Sequence, residues 1–352
     1  MKHDTTPSGK RKSKPKKKFR WRDHPALLVF VLALVIRLIY LATLAVRPGF
    51  SIPIVDEVDY DRMAKLFATG QGLSPGPLFR PPLWPTVLGI VYVMFGPIFP
   101  YARLANVLLG ALAVNASYRL GVRLFNKHTA LVAGIVLSCY GLFVHFSGTG
   151  LATSLVVYLT VEALNLSFRA RERGTWQSFL YAGLVWGLAC IARPVALAPA
   201  LIIAIELFFR WNVVPKERVT HFATFLIGFL VAIAPVTLYN AGKGDAVLIS
   251  TNGGINFFFG NNPASDGIAA YHPAYGVFWT PQKAHTWAEQ VTGTRMRPSE
   301  VSRFYYREGI RFLLFHPEES LPLLGQKLLL VFGGVEVSNN GCLLYTSPSP
   351  RD

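Results

Sequence analysis

The chain has 352 residues, of which 52% are hydrophobic and 15% charged, against roughly 25% charged in a soluble globular domain. A mean hydropathy of +0.36 over this length excludes a disordered chain and an ordinary soluble enzyme, and predicts an all-α polytopic membrane protein. The net charge of +16 is unevenly placed: the first 23 residues hold ten Lys/Arg against Asp4 and Asp23.

Such a basic run also suits a nucleic-acid patch or a solvated arm. Here an apolar run begins at Ala26, so residues 1–25 read as a cytoplasmic tail under the positive-inside rule, with no nucleic acid as partner. Ala26–Val46 is 21 residues long, is broken by Arg37 and ends in Arg47-Pro48-Gly49. A cleavable signal has an apolar core of roughly 7–15 residues and a small-residue cleavage site, so this run predicts a retained spanning helix. Arg37 is expected to pack inside the bundle. Cys139, Cys190 and Cys342 show no metal or redox spacing, and no disulfide framework is implied.

Further apolar runs lie near 100–124, 128–146, 151–168, 177–192, 194–209, 222–239 and 321–335, with a shorter one at Pro82–Phe95. Basic clusters at Arg119/Arg123/Lys127, Arg169/Arg171/Arg173 and Arg210/Lys216/Arg218 should share the side of the N-terminal tail. Crossing parity then keeps Pro82–Phe95 from spanning and places it in the outer interface. The expected organisation is a module over 26–240 with an external loop at 47–99, a second external loop at 241–320, a last span at 321–335, and a tail at 336–352 whose composition looks non-native. About eight spans result.

The first loop carries Asp56-Glu57-Val58-Asp59-Tyr60-Asp61-Arg62. At about 100° per residue Asp56, Tyr60, Met63 and Phe67 share a stripe, opposite Arg62 and Lys65. A helix lying on the membrane would bury that stripe, and a desolvated carboxylate there could act as general base toward an acceptor hydroxyl or amine. Alternatively, Asp56 and Glu57 only complement the positive end of a helix. A lipid phosphate as leaving group would need cations. Arg80, Arg193 at a turn, and Lys327 inside the last apolar run are the candidates; a charge inside a span marks function by default, although Lys327 could also snorkel.

In the second loop, Asn252-Gly253-Gly254-Ile255-Asn256-Phe257-Phe258-Phe259-Gly260-Asn261-Asn262-Pro263 reads as a turn, a short aromatic strand and a turn. Its amides and aromatics suit a lid over a sugar, which makes Asn252, Asn256, Asn261 and Asn262 candidate substrate contacts with Tyr60. The histidines have no metal-binding spacing, and a helix-like stretch is expected from Pro298 through Arg311.

These pieces, with Arg80-Pro81-Pro82-Leu83-Trp84-Pro85, Ala192-Arg193-Pro194, and Lys327 followed by Glu336 and Asn339-Asn340, together resemble the GT-C superfamily of membrane glycosyltransferases that use polyprenyl-phosphate sugars. More closely, the chain is similar to family 39 members, the protein O-mannosyltransferases and aminoarabinose transferases. The resemblance implies a GT-C-type helical bundle with two extracytoplasmic loops carrying interfacial helices. It implies Asp56 as catalytic base with Glu57 beside it, and donor-phosphate contacts from Arg193 and Lys327, to which the reading of the chain adds Arg80. It also implies an inverting transfer of a hexosyl or pentosyl group from a polyprenyl-phosphate sugar to an envelope glycan, lipid or protein on the outer face of the plasma (inner) membrane. No cofactor is implied, and a divalent-metal requirement stays open. A transporter, or a non-catalytic lipid-binding or assembly subunit, are the other function classes; a transporter would predict paired broken helices and an internal repeat, neither visible here.

Overall fold

A computed structural model of the chain describes residues 24–209 and 213–332. The basic tail up to residue 23, Arg210, Glu336, Asn339, Asn340 and Cys342 lie outside the described residues, as does the end of the last apolar run.

The order is α1 Pro25–Ala45, α2 Asp56–Ala68, α3 Leu83–Phe95, α4 Pro100–Leu124, α5 Lys127–Cys139, α6 Gly141–Ser147, α7 Thr153–Arg173, α8 Trp176–Ala192, a 3-10 turn Pro194–Ala196, α9 Leu197–Phe208, α10 Pro215–Gly242, α11 Gly253–Gly260, α12 Pro281–Thr292, α13 Pro298–Phe315 and α14 Pro317–Phe332. Among the described residues there is no strand, only an isolated bridge between His272 and Gly276. Proline opens α1, α4, α10, α12 and α13, where its missing N–H has no helical partner to lose.

By length and composition α1, α4 and α10 can each cross a bilayer, and the bent pair α5–α6 makes a fourth. The expected count of eight is not confirmed among the described residues. Trp176–Ala192 and Pro194–Phe208 are apolar but short. In α7 the hydrophobic run gives way to Glu162, Arg169, Arg171 and Arg173. α3 has 13 residues, about 20 Å of helix, against about 30 Å of hydrocarbon. Large apolar side chains nonetheless face outward around these helices, Ile39, Val132, Ile202 and Val231 among them, as a lipid-facing surface requires.

One core joins α2, α3, α4, α7, α8, α9 and α10 around Trp84, Leu88, Phe99, Phe179 and Trp186. A separate aromatic core, built on Ile255, Phe258, Phe259, Phe304 and Tyr305, holds α11, α12 and α13 together. The closest helix pair is α8 with α10. A Cβ on Gly183 would run into the Phe225 carbonyl oxygen, and one on Gly228 into that of Leu180; at Gly187 it would stand 2.6 Å from Ala232 Cβ. Small residues four apart on both helices thus let the backbones touch, the packing device of membrane helices.

Arg37 is fully buried. α5 and α6 meet at a 58° bend, and Arg37 donates to the Ser138 carbonyl (3.4 Å) freed near that break, to Ala33 O (3.1 Å) and to Ser147 Oγ (3.0 Å). Its charge therefore caps the electronegative end of α5.

The aromatic stretch after Asn252 is helical, not the expected turn–strand–turn. Ile255, Phe258 and Phe259 are buried, a spacing of three and four that belongs to a helix face. Gly254 permits that face to seat, since a Cβ there would strike the Ser302 carbonyl oxygen of α13.

Candidate active site

The entry to α2 is strained. Val55 has φ +48°, a backbone region that a β-branched residue adopts only under constraint, at a cost of order 1–3 kcal/mol. Glu57 supplies the constraint. Its Oε2 accepts from the Ile54 N–H at 3.2 Å, and its Oε1 accepts from the Gly150 N–H at 2.7 Å. Arg103 Nη2 lies 3.7 Å from Glu57 Oε2 while donating to the carbonyls of Phe50 (3.1 Å) and Gly148 (2.7 Å). Trp84 Nε1 donates to Gly150 O, and Asn106 donates to the carbonyls of Thr149 and Leu151. The loop 148–151 is in this way tied to α2, α3 and α4 at once.

These bonds fix the rotation of α2. Its buried residues are Glu57, Asp61, Met63 and Ala64, with Asp61 accepting from Tyr92 Oη (2.6 Å) and pairing with Lys65 (2.7 Å). Of the expected stripe Met63 is buried and Tyr60 and Phe67 are half-buried, but the buried face is widened toward Glu57, Asp61 and Ala64, about 100° of helix away. Arg62 and Lys65 are exposed, as expected, but the Asp56 side chain is 46% exposed and Glu57 takes the inward place.

Asp56 and Asp59, three residues apart on α2, converge on Arg80. Arg80 Nη2 donates to Asp56 Oδ1 at 2.9 Å and Arg80 Nε to Asp59 Oδ2 at 2.7 Å. Arg62 holds the other Asp59 oxygen at 3.2 Å. The Arg80 guanidinium lies 5.8 Å from the ring centres of Tyr60 and Phe79, within cation–π range. Burial works against its charge, but Asp56 and Asp59 outweigh that and hold Arg80 more firmly protonated than usual. Burial raises the Tyr60 hydroxyl, a shift that Arg80 and Arg193 oppose. Arg193, the exposed residue between α8 and the 3-10 turn, is thus within electrostatic reach of the same cluster, and among the described residues it has no carboxylate partner.

Arg80 also adjoins the second segment. The N–H groups of Thr251 and Asn252 donate to the carbonyls of Leu78 (2.9 Å) and Phe79 (3.2 Å), so α11 starts beside the arginine. Asn252 Oδ1 accepts from Ser250 Oγ, and Asn256 is exposed on α11. Asn262 is fully buried and engaged with the carbonyls of Phe258, Phe259 and Tyr271 and the N–H of Ala264. Asn261 donates to Phe257 O and accepts from Lys327 Nζ, which also bonds the Gly260 carbonyl. Lys327 therefore sits at the far end of α11, about 12 Å of helix from Asn252. Of the candidate residues, Asp56, Tyr60, Arg80 and Arg193 come together with Asn252 alongside. Glu57 faces a different set of partners, and Lys327 with Asn261 forms a second group.

Asp59 escaped the sequence reading, although its spacing of three from Asp56 puts both on one helix face. Asn240 escaped it too: fully buried at the end of α10, it accepts from Leu78 N (2.9 Å) and donates to the carbonyls of Val247 (3.0 Å) and Ile249 (3.1 Å). Beside it Tyr239 Oη accepts from the N–H groups of Leu73 and Ser74 and donates to Ser74 O. A buried asparagine leaves no mark on an apolar run. The one acidic and imidazole grouping with metal-like spacing among the described residues, His316, Glu318 and Glu319, is fully on the surface and away from this cluster in sequence.

Residues 79–239 match the family model described as dolichyl-phosphate-mannose-protein mannosyltransferase. The matched stretch holds Arg80, Arg193 and Tyr239, with Asp56 ahead of it and Asn240 and Lys327 beyond it. It points to a membrane glycosyltransferase of the GT-C type, the family that the sequence motifs resemble. No curated protein matches the chain.

Proposed function

We propose that this chain, a GT-C-type membrane glycosyltransferase by its match over residues 79–239, moves a sugar from a polyprenyl phosphate to an acceptor hydroxyl on the extracytoplasmic face of the plasma membrane, with its N-terminus cytoplasmic. The observation that carries this reading is the state of Asp56. One carboxylate oxygen is fixed by Arg80, while among the described residues Oδ2 has no hydrogen-bond partner, on a side chain that is half exposed. A carboxylate so oriented can take a proton without first breaking a bond.

In the reaction Asp56 Oδ2 accepts the proton of the acceptor hydroxyl as its oxygen bonds to the anomeric carbon. The bond from that carbon to the phosphate oxygen breaks, and its electron pair leaves with the polyprenyl phosphate. Single displacement inverts the anomeric centre. Arg193, exposed and without a carboxylate, is the cation best placed to meet the departing charge. Arg80 orients Asp56 and Asp59. Lys327 and the asparagines of α11 serve the lid side, with Asn252 and Asn256 the more accessible pair and Asn261 and Asn262 holding the lid's shape.

Release of polyprenyl phosphate from a polyprenyl-phosphate sugar by membranes carrying the chain tests the reading. Asp56→Asn should lower kcat about 10²–10⁴-fold. Arg193→Gln should lower kcat and raise KM for the donor. Wild-type kinetics in both variants would refute it. Cysteines placed at Gln71 and Asp266 should react with an impermeant reagent in intact cells; protection of both would overturn the orientation.

A further inference from the structure

Gly150 lies in the short link between α6 and α7, and both of its backbone groups are engaged. Its N–H donates to Glu57 Oε1 of α2 at 2.7 Å, and its carbonyl accepts from Trp84 Nε1 of α3 at 2.7 Å. The link is itself held on either side. Arg103 donates to Gly148 O at 2.7 Å, and the fully buried Asn106 donates to Thr149 O (2.7 Å) and Leu151 O (2.8 Å). Every carbonyl from 148 to 151 is thus fixed by a side chain of α3 or α4, so the N–H that the link offers to α2 has a set position.

No side chain fits at this point. A Cβ on Gly150 would stand 2.5 Å from Phe99 Cζ, 2.8 Å from Phe99 Cε2 and 3.3 Å from Glu57 Cδ. The φ of Gly150 lies outside the left-handed region, so an alanine could adopt the backbone and space alone demands the glycine. Phe99 is 4% exposed and packs against Arg103, whose Cζ is 5.2 Å from the ring centre, so the ring has little room to withdraw. An alanine would push the link and Glu57 apart, and Glu57 is the residue after Asp56. The turn that delivers both acids is not one the chain keeps unaided, since Val55 stands at φ +48° and is tethered by the bonds of Glu57 to Gly150 and Ile54. A shift at Gly150 therefore travels through Glu57 to the start of α2.

We propose that Gly150 is a positioning residue for Asp56: its missing side chain lets Glu57 reach the α6–α7 link, and that reach sets where the Asp56 carboxylate stands. The proposal rests on Asp56 as the base and extends the site to a residue that touches neither the substrate nor Asp56. Arg80 holds one Asp56 oxygen from the side, while Gly150 fixes the end of the helix that carries it. The two restraints come from different parts of the chain, so loss of either leaves the carboxylate free to drift from the acceptor hydroxyl.

The test measures kcat and donor KM of the full chain in detergent, per folded molecule and below the melting temperature of each variant. Gly150→Ala should lower kcat about 10²-fold, the effect of about 1 Å of misplacement. Donor KM should stay within about twofold, because Arg193 caps α8 and lies outside the helix that moves. Phe99→Leu removes the ring atoms that the new methyl would meet, so Gly150→Ala with Phe99→Leu should recover kcat to within about tenfold of Phe99→Leu alone. Glu57→Asp keeps the charge beside Arg103 but is one methylene short of Gly150; it should lower kcat in the same way, and it reads the coupling if Gly150→Ala does not fold. Asp56→Asn, run beside them, keeps two failures apart. Turnover lost in Asp56→Asn but kept in Gly150→Ala and Glu57→Asp would overturn the positioning role alone. Turnover kept in Asp56→Asn would overturn the base and the positioning role together. No recovery in the double variant would show that Phe99 is not the obstacle and overturn the steric account.

Discussion

Asp56 and Glu57 are neighbours of like charge, and the structure separates what each should do. In Glu57→Gln one amide nitrogen replaces a carboxylate oxygen. The shorter bond, from Gly150 N–H at 2.7 Å, keeps the remaining oxygen, so the new NH2 confronts the Ile54 N–H and Arg103. A charge-assisted hydrogen bond worth about 1.5–3 kcal/mol is lost. A buried arginine, 9% exposed, loses its carboxylate, and breaking a buried pair from one side costs about 3–5 kcal/mol. The strained turn at Val55 loses its tether as well. Taking about 3–5 kcal/mol in all, at roughly 2 °C per kcal/mol for a large domain, the melting temperature should fall by about 6–10 °C. Asp56→Asn is the opposite case. Arg80 keeps Asp59 at 2.7 Å, and a half-exposed pair is worth at most about 1 kcal/mol, so stability should hold while kcat falls about 10²–10⁴-fold. Thermal unfolding in detergent followed by chromatography, beside a donor-release assay on the same preparations, reads both quantities. If Glu57→Gln keeps its melting temperature yet loses turnover, or if Asp56→Asn unfolds early, the division of roles is wrong.

Asn240→Leu keeps the side-chain volume but strands the Leu78 N–H and the Val247 and Ile249 carbonyls. At about 1–3 kcal/mol for each buried group left unpaired, a loss of about 3 kcal/mol or more is expected, with faster limited proteolysis near 71–78 and 245–251; unchanged proteolysis would contradict it. Gly183→Ala forces α8 and α10 apart and should cost about 1–3 kcal/mol by overpacking, read as a lower melting temperature, whereas Gly242→Ala, at a position with open space, serves as the control. His272 is fully buried; its Nδ1 accepts from Ala274 N–H (3.0 Å) and its Nε2 bonds the Tyr305 hydroxyl (3.1 Å), which donates to Ala284 O. Burial lowers its pKa from the ordinary 6.5, so the unfolded state binds the extra proton: the stability it contributes is whole above pH 6.5 and declines as pH falls below that value. Unfolding of the wild type should therefore ease between pH 7 and 5, and His272→Asn should flatten that dependence; parallel pH profiles would argue against it.

The apolar runs translated into helices closely, 100–124 into Pro100–Leu124 and 177–192 into Trp176–Ala192, because length and hydropathy are summed over many residues. What failed depended on single positions. Which acid opens the buried face of α2 was misread, because nothing in Asp-Glu says which of the two meets Gly150. The aromatic run after Asn252 was misread because three consecutive phenylalanines satisfy a strand and a helix face alike, and the clash that decides it lies on α13. Arg80 was read as a cation for a lipid phosphate, and its bonds to Asp56 and Asp59 were not foreseen. The glycines at 183 and 187 did carry a legible spacing of four, whose meaning required knowing that α10 offers Gly228 and Ala232 in return.

Tyr239 and Asn240 bind segments that precede them by as much as 166 residues. During synthesis at about 5–20 residues per second, residues 73–78 would wait roughly 8–33 s for those partners to emerge. The helix bearing Asp56 is made early, and the clamp that closes its segment comes after all the intervening helices. The first segment must therefore persist without its final contacts, open to proteases and to non-native pairings, until α10 arrives. Assembly of the cluster around Arg80 is in this sense a late event of biogenesis, timed by the last helix of the bundle rather than by the acids that open it.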